Sequence, residues 1–309
     1  MNVTHNNALG ADAVTWAGTG SELRLSSTGV STPSANSLTV SDTGDTKTLS
    51  GMAPAGSTSF GGDITIEETT PGAFEINAGG NHTFTVTGNI TGASPAGIKK
   101  TGAGIAILSG NNTYTGDTSV SNGTLKQGSA NAIPGGSGKG NVEISSGGTF
   151  SGILDHNGTH PVINGLTGGS ATILGQIVNN GSGNATLTPG GADATTAFSG
   201  LIKDNSGAGG IITLNKIGTG TQTLAGANTY RGGSLILAGR LDLRNSTSAG
   251  SGMITLGGTG AELQIGPGLT VVNRIAVSDT GCAKAVRFDD SIGRAASHLF
   301  GAPEHRGSH

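Results

Sequence analysis

The residues of this 309-residue chain that could do chemistry are few. Asp155-His156, with His160 close by, is the best local candidate. A carboxylate beside an imidazole is the kind of pair that general acid–base catalysis uses. It falls between the apolar pairs Ile153-Leu154 and Val162-Ile163, which read as strands, so the plainer expectation is an exposed polar loop. Glu67-Glu68 and Asp289-Asp290 read as surface pairs, and Lys99-Lys100 as the solvated start of a strand. No His-x-x-x-His, Cys-x-x-Cys or Asp-rich loop has metal-ligand spacing. Gly135–Gly140, GGSGKG, lacks the spacing of a phosphate-binding loop and has no helix to follow it. Gly-x-Ser-x-Gly needs a strand–turn–helix context that is missing. No catalytic, cofactor-binding or metal-ligating residue is therefore assigned.

The elements that would position such residues are short strands. Glycine is extreme at 58 residues against 9 prolines. There is no Gly-X-Y period, so collagen is excluded. Charged residues make up 11% and aromatics 3%. Hydrophobic residues still reach 33%, in alternating runs such as Leu23-Arg24-Leu25, Ile64-Thr65-Ile66 and Leu241-Asp242-Leu243. Such runs bounded by Gly, Asn and Ser are strands and turns rather than disorder. A net charge of −3 shows no footprint for nucleic acid. No apolar run is long enough for a membrane-spanning helix. The opening Met1–Asn7 has no signal-peptide pattern. Cys282 stands alone and forms no intrachain disulfide.

Repetition organises the chain. Lys100–Leu125 returns at Lys216–Leu241, 116 positions on and without a gap; 11 of the 26 aligned residues are identical. Val40–Gly44, VSDTG, is identical to Val277–Gly281. Residues of about 14–50 thus read as the second half of a unit whose first half is missing, as if the chain began inside a longer array. Fuller units span 98–170 and 214–281. Residues 289–309 match nothing upstream and are expected to be a poorly ordered tail. An antiparallel sandwich and a parallel solenoid both fit about 25 short strands at intervals of roughly 10–12 residues. Long-range repetition with turns of variable length favours the solenoid, because each coil needs only its neighbours. Gly and Asn would supply its corners with φ above zero.

The repeated block resembles the autotransporter-associated β-strand repeat of bacterial surface proteins. The first copy carries Lys100, Gly102, Gly104, Leu108, Gly110, Asn112, Tyr114, Gly116, Gly123 and Leu125. The second carries Leu214, Lys216, Gly218, Gly220, Leu224, Gly226, Asn228, Tyr230, Gly232, Gly239 and Leu241. The resemblance implies an all-β, right-handed parallel β-helix over residues 1–288, in the passenger region of an exported protein displayed or released outside the cell. The motif residues read as structural. Leu108 and Leu125 point inward, Asn112 and Asn228 bond turn backbone, and Tyr114 and Tyr230 cover a corner with the hydroxyl exposed.

The function expected is a structural and adhesive module without enzymatic activity or cofactor. Its partners would be host or environmental surface ligands, glycans among them, with no nucleic acid and no membrane insertion. Ends of the coil would pair end to end, or residues 1–13 and 289–309 would fray. The alternative is a carbohydrate-active β-helix enzyme, favoured if acids group with Lys or Arg on one face. A surface-binding threonine ladder is a third reading; Thr83, Thr85 and Thr87 form one Thr-x-Thr-x-Thr run, which does not recur at coil spacing in the sequence. Binding is expected in the less repetitive insertions Gly51–Gly62 and Asp155–Pro161 rather than in the repeated block.

Overall fold

In the computed structural model the described residues are 1–300, except 6–8, 10–11, 19, 27–29, 33–35, 42–43, 53–55, 69–73, 94, 96, 146–150, 170–174, 206, 208, 279–282 and 290–294. Cys282, Asp290, the Gly147–Phe150 stretch and residues 301–309 lie outside them, as do parts of the VSDTG copies and of the Gly51–Gly62 insertion.

The described residues form 32 strands and no helix. All strand pairs are parallel except the last, where Ala295–Phe300 runs antiparallel to Lys284–Asp289. That strand falls within the segment expected to be a tail. Parallel pairing excludes the sandwich. The chain is a β-solenoid of about ten turns with three sides. Lys47–Gly51, Gly56–Phe60 and Ile64–Ile66 make one coil, and Phe74–Ala78 then stacks on Lys47–Gly51 to begin the next. The first side is a 14-stranded sheet running the whole length. The second is an 8-stranded sheet from Ser31–Thr32 to Leu201–Asp204. The third holds a 4-stranded sheet, Val14–Trp16 to Ile90–Thr91, and then a 6-stranded one, Val162–Ile163 to Ile275–Val277.

Alternation of apolar and polar residues sends every second side chain inward. One inward column of the long sheet runs Leu23, Leu49, Ile76, Lys100, Val120 and Ile144, one position per coil. Leu108 and Leu125 point inward as expected and are buried. Corners turn on positive φ, as at Asn157 (50°) and Gly158 (78°). At Gly102 (φ 74°) a Cβ would lie 2.2 Å from the Ala78 carbonyl oxygen, and at Gly218 (φ 68°) 2.1 Å from that of Gly190. Both the backbone twist and the close approach of neighbouring coils require glycine there.

The two copies of the repeated block occupy different sides. In the first, Ile98–Thr101 and Thr118–Val120 lie in the long sheet, and Ile105–Leu108 and Gly123–Gln127 on the second side. In the second, Ile212–Lys216 and Ser234–Ile236 lie on the third side, and Thr221–Leu224 and Arg240–Leu243 in the long sheet. The block keeps its local form but is turned by one side about the axis.

Candidate functional site

Three groups of polar residues are built into the coil. The first is the pair of repeat corners. Lys100 is fully buried, contrary to its expected place at a solvated strand start; only Lys99 is at the surface, 2.9 Å from Glu75. The Lys100 Nζ donates to the carbonyls of Thr101 (2.7 Å), Gly102 (2.8 Å) and Asn122 (3.0 Å). Lys216 repeats this with Ile217, Gly218 (2.8 Å) and Ala238 (3.2 Å). Each ammonium gathers carbonyls that the strand ladder leaves over at a corner. Burial lowers the pKa of Lys100 to about 7 and that of Lys216 to about 8, the latter held up in part by Asp193.

Asn112 Oδ1 accepts from the backbone N–H of Ile90 (2.8 Å), and its Nδ2 donates to Ala132 O (2.7 Å). Asn228 does the same with Ile202 N (2.8 Å) and Ser248 O (2.6 Å). Ile90 and Ile202 belong to the last strands of the 4-stranded and 8-stranded sheets. The asparagine therefore stands in for the next strand where a sheet stops. Tyr114 and Tyr230 do not expose their hydroxyls. Both are fully buried, bonded to Thr118 Oγ1 (2.6 Å) and Ser234 Oγ (2.7 Å), and burial raises both pKa values. A buried ring offers no platform to a sugar.

The second group is Asp155, His156 and His160. Asp155 and His156 are buried rather than in an exposed loop. The Asp155 Oδ1 accepts from the N–H groups of Asn157 (3.0 Å) and Asn180 (2.9 Å). His156 Nδ1 bonds Gln127 Oε1 (2.6 Å), while His160 bonds Thr186 Oγ1 (3.2 Å) at the surface. The carboxylate bonds neither imidazole. Burial, assisted by His160, lowers the His156 pKa to about 3, so the ring is neutral at physiological pH. The third group is Lys47 and Glu68, an ion pair with both side chains fully buried. Glu67 is at the surface as expected, but Glu68 is not.

Acids and arginines do meet on the outer face of the last coils. Glu262 pairs with Arg240 (2.9 Å) and Arg287 (2.6 Å), and Arg244 with Asp242 (2.9 Å) and Asp289 (3.0 Å). Each carboxylate is thereby neutralised, on a sheet rather than in a cleft. Among the described residues no group of three or more His, Cys, Asp or Glu could hold a metal ion.

One feature escaped the sequence reading. Thr15, Thr39, Thr65 and Thr91 stand in register on the outside of the 4-stranded sheet. Their signal was a threonine between apolar residues in Val14-Thr15-Trp16, Leu38-Thr39-Val40 and Ile64-Thr65-Ile66, recurring once per coil. The run Thr83–Thr87 lies along a strand instead, with Ser57 and Ser59 beside Thr83 and Thr85.

The passenger-associated-transport-repeat family model matches residues 98–126 and 214–243, the two corner-forming blocks. The chain is 32% identical over 241 residues to the adhesin BmaC autotransporter of Brucella suis biovar 1 (strain 1330), covering 78% of this chain and 6% of that protein. No solved structure matches. Two such repeats in a parallel β-solenoid, with that identity to an autotransporter adhesin, make this chain an autotransporter passenger repeat protein.

Proposed function

We propose that this chain is a structural and adhesive module of a surface-exposed or secreted passenger, acting as a stiff stalk or as a weak binding surface along its side. One observation carries the proposal: the distinctive polar groups of both repeats are buried in corners, where they hold backbone and are closed off from the surface. Similarity to a protein named as an adhesin supports the adhesive half. The grouping of Glu262, Asp242 and Asp289 with arginines on the last coils is the arrangement that would favour a polysaccharide lyase or hydrolase; against it, each of these acids is engaged in an ion pair on an open sheet face.

The test is adherence of beads coated with the purified chain to host-cell and glycan-coated surfaces. Binding above that of beads coated with an unrelated β-solenoid is expected. Release of reducing or unsaturated sugar from a polysaccharide panel is expected to stay at background. Turnover would establish the enzyme instead, and folded protein without adherence would leave only the stalk.

A further inference from the structure

The threonine ladder continues beyond its sheet. Thr113 N donates to Ile90 O (2.8 Å) and Thr115 N to Gly92 O (3.0 Å), so the repeat loop carries hydroxyls onto the next coil. There the surface forms a shallow, open depression. A groove of about 510 Å³ is lined by the threonines Thr65, Thr91, Thr113 and Thr115, with Gly92, Ala93, Ile66 and Glu67. That volume lies in the range of ligand sites. From the structure we infer that this groove and the ladder leading into it bind an extended neutral glycan chain laid along the solenoid axis. The inference rests on the adhesive reading above and names the ligand class and the side.

Four observations lead there. First, the hydroxyls are spare. Thr15, Thr39 and Thr113 have no side-chain hydrogen bond among the described residues. Among the described residues Thr91 reaches only Thr65 Oγ1 and Ile64 O, both at 3.4 Å. Bonds that long are weak, so a sugar hydroxyl can compete for them. Second, the fold does not demand threonine outside. In the same coils the outer positions of the long sheet carry Glu22, Arg24, Glu75 and Lys99. Third, the spacing is periodic. Coils stack about 4.8 Å apart, close to the repeat of linked pyranose units in an extended chain. Each threonine offers a donor and acceptor with a methyl beside it, which matches the hydroxyls and apolar C–H edges of a sugar. Fourth, among the described residues that line the groove Glu67 is the one that is charged. A carboxylate accepts sugar hydroxyls and repels anionic polysaccharide. Among the described residues no aromatic ring lines the groove, so the affinity per sugar is low and binding depends on chain length.

The test uses cellohexaose as the probe, in an amide chemical-shift titration of the whole chain. Shifts centred on Thr65, Thr91 and Thr113 at millimolar probe are expected, with none for a sulfated oligosaccharide of equal length. The triple change Thr65→Val, Thr91→Val and Thr113→Val keeps shape and strand propensity and is expected to weaken binding about tenfold. Ala93→Leu, which fills the groove, is a second and less invasive variant with the same expected direction; circular dichroism reports folding of both. No shift, shifts on another side, or unchanged affinity in both variants would overturn the inference. So would shaping of ice crystals by the wild type without oligosaccharide binding, since the ladder would then order water. Coated beads separate the two proposals: adherence that survives the valine triple sinks the groove alone, whereas oligosaccharide binding without adherence sinks the adhesive reading alone.

Discussion

Asn112 offers its Oδ1 to the backbone N–H of Ile90 at 2.8 Å, closing the edge of a sheet that ends at that strand. Asn228 makes the same bond at the same distance to Ile202, on another side of the coil. An open sheet edge invites unwanted pairing, and here one side chain per repeat covers it.

Removing that side chain leaves a buried donor and a buried carbonyl unpaired. Asn112→Ala and Asn228→Ala should each cost about 1–3 kcal/mol. Hydrogen exchange should accelerate locally, at Ile90 and Thr113 for the first and at Ile202 and Thr229 for the second. Unchanged protection at these amides would refute the edge-closing role.

The buried tyrosines make a graded series. Tyr114→Phe and Tyr230→Phe lose one hydroxyl bond and should cost about 0.5–1.5 kcal/mol each. The alanine variants also open a cavity and should cost about 3–5 kcal/mol. Denaturant midpoints check the order, and tyrosines at the surface would give no such gradient.

The corner lysines give a pH signature. Folding lowers the Lys100 pKa from 10.5 to about 7. The unfolded chain then binds the extra proton between those values, so stability rises with pH across that window. Below about 7 the cost of the buried ammonium is fully present, and above 10.5 it is gone. For Lys216 the rise begins at about 8. The three carbonyls around each ammonium favour the charged form and oppose this rise. Urea midpoints measured against pH should slope upward in the wild type and less so in Lys100→Met.

Lys47 and Glu68 behave as a unit. Glu68→Gln removes the carboxylate that faces the buried Lys47 ammonium and should destabilise by about 3–5 kcal/mol. Lys47→Met combined with Glu68→Leu should recover most of that loss. Thermal melts of the single and double variants decide it: a double variant no better than the single would show that the pair is not self-contained.

The solenoid was legible in the sequence because its signal is long-range: a repeated block and strands of alternating residues. Leu108 and Leu125 point inward because that alternation fixes their side. What stayed hidden depends on the neighbouring coil. Lys100 looks like Lys99 in sequence, and only the Asn122 carbonyl 22 residues later shows it to be a corner cap. Tyr114 is hidden by its bond to Thr118, four residues on and across a turn whose path no propensity gives. Glu68 is buried by Lys47, 21 residues back. The threonines that stand out in the sequence, Thr83–Thr87, follow one another along the chain, whereas the register that makes a ladder runs across strands. Contacts between coils depend on how many residues each coil uses, and turns of variable length keep that from being counted in advance.

The turned repeat has a consequence for aim. Copies at equivalent motif positions place the loops around Tyr114 and Tyr230 on different bearings about the rod. The block encodes a corner but carries no address on the circumference. The 14-stranded sheet runs through both copies, so the same block serves whichever side its corner falls on. Such a chain can present the same loop on a new bearing by setting the block one side further round, with its buried corner residues unchanged.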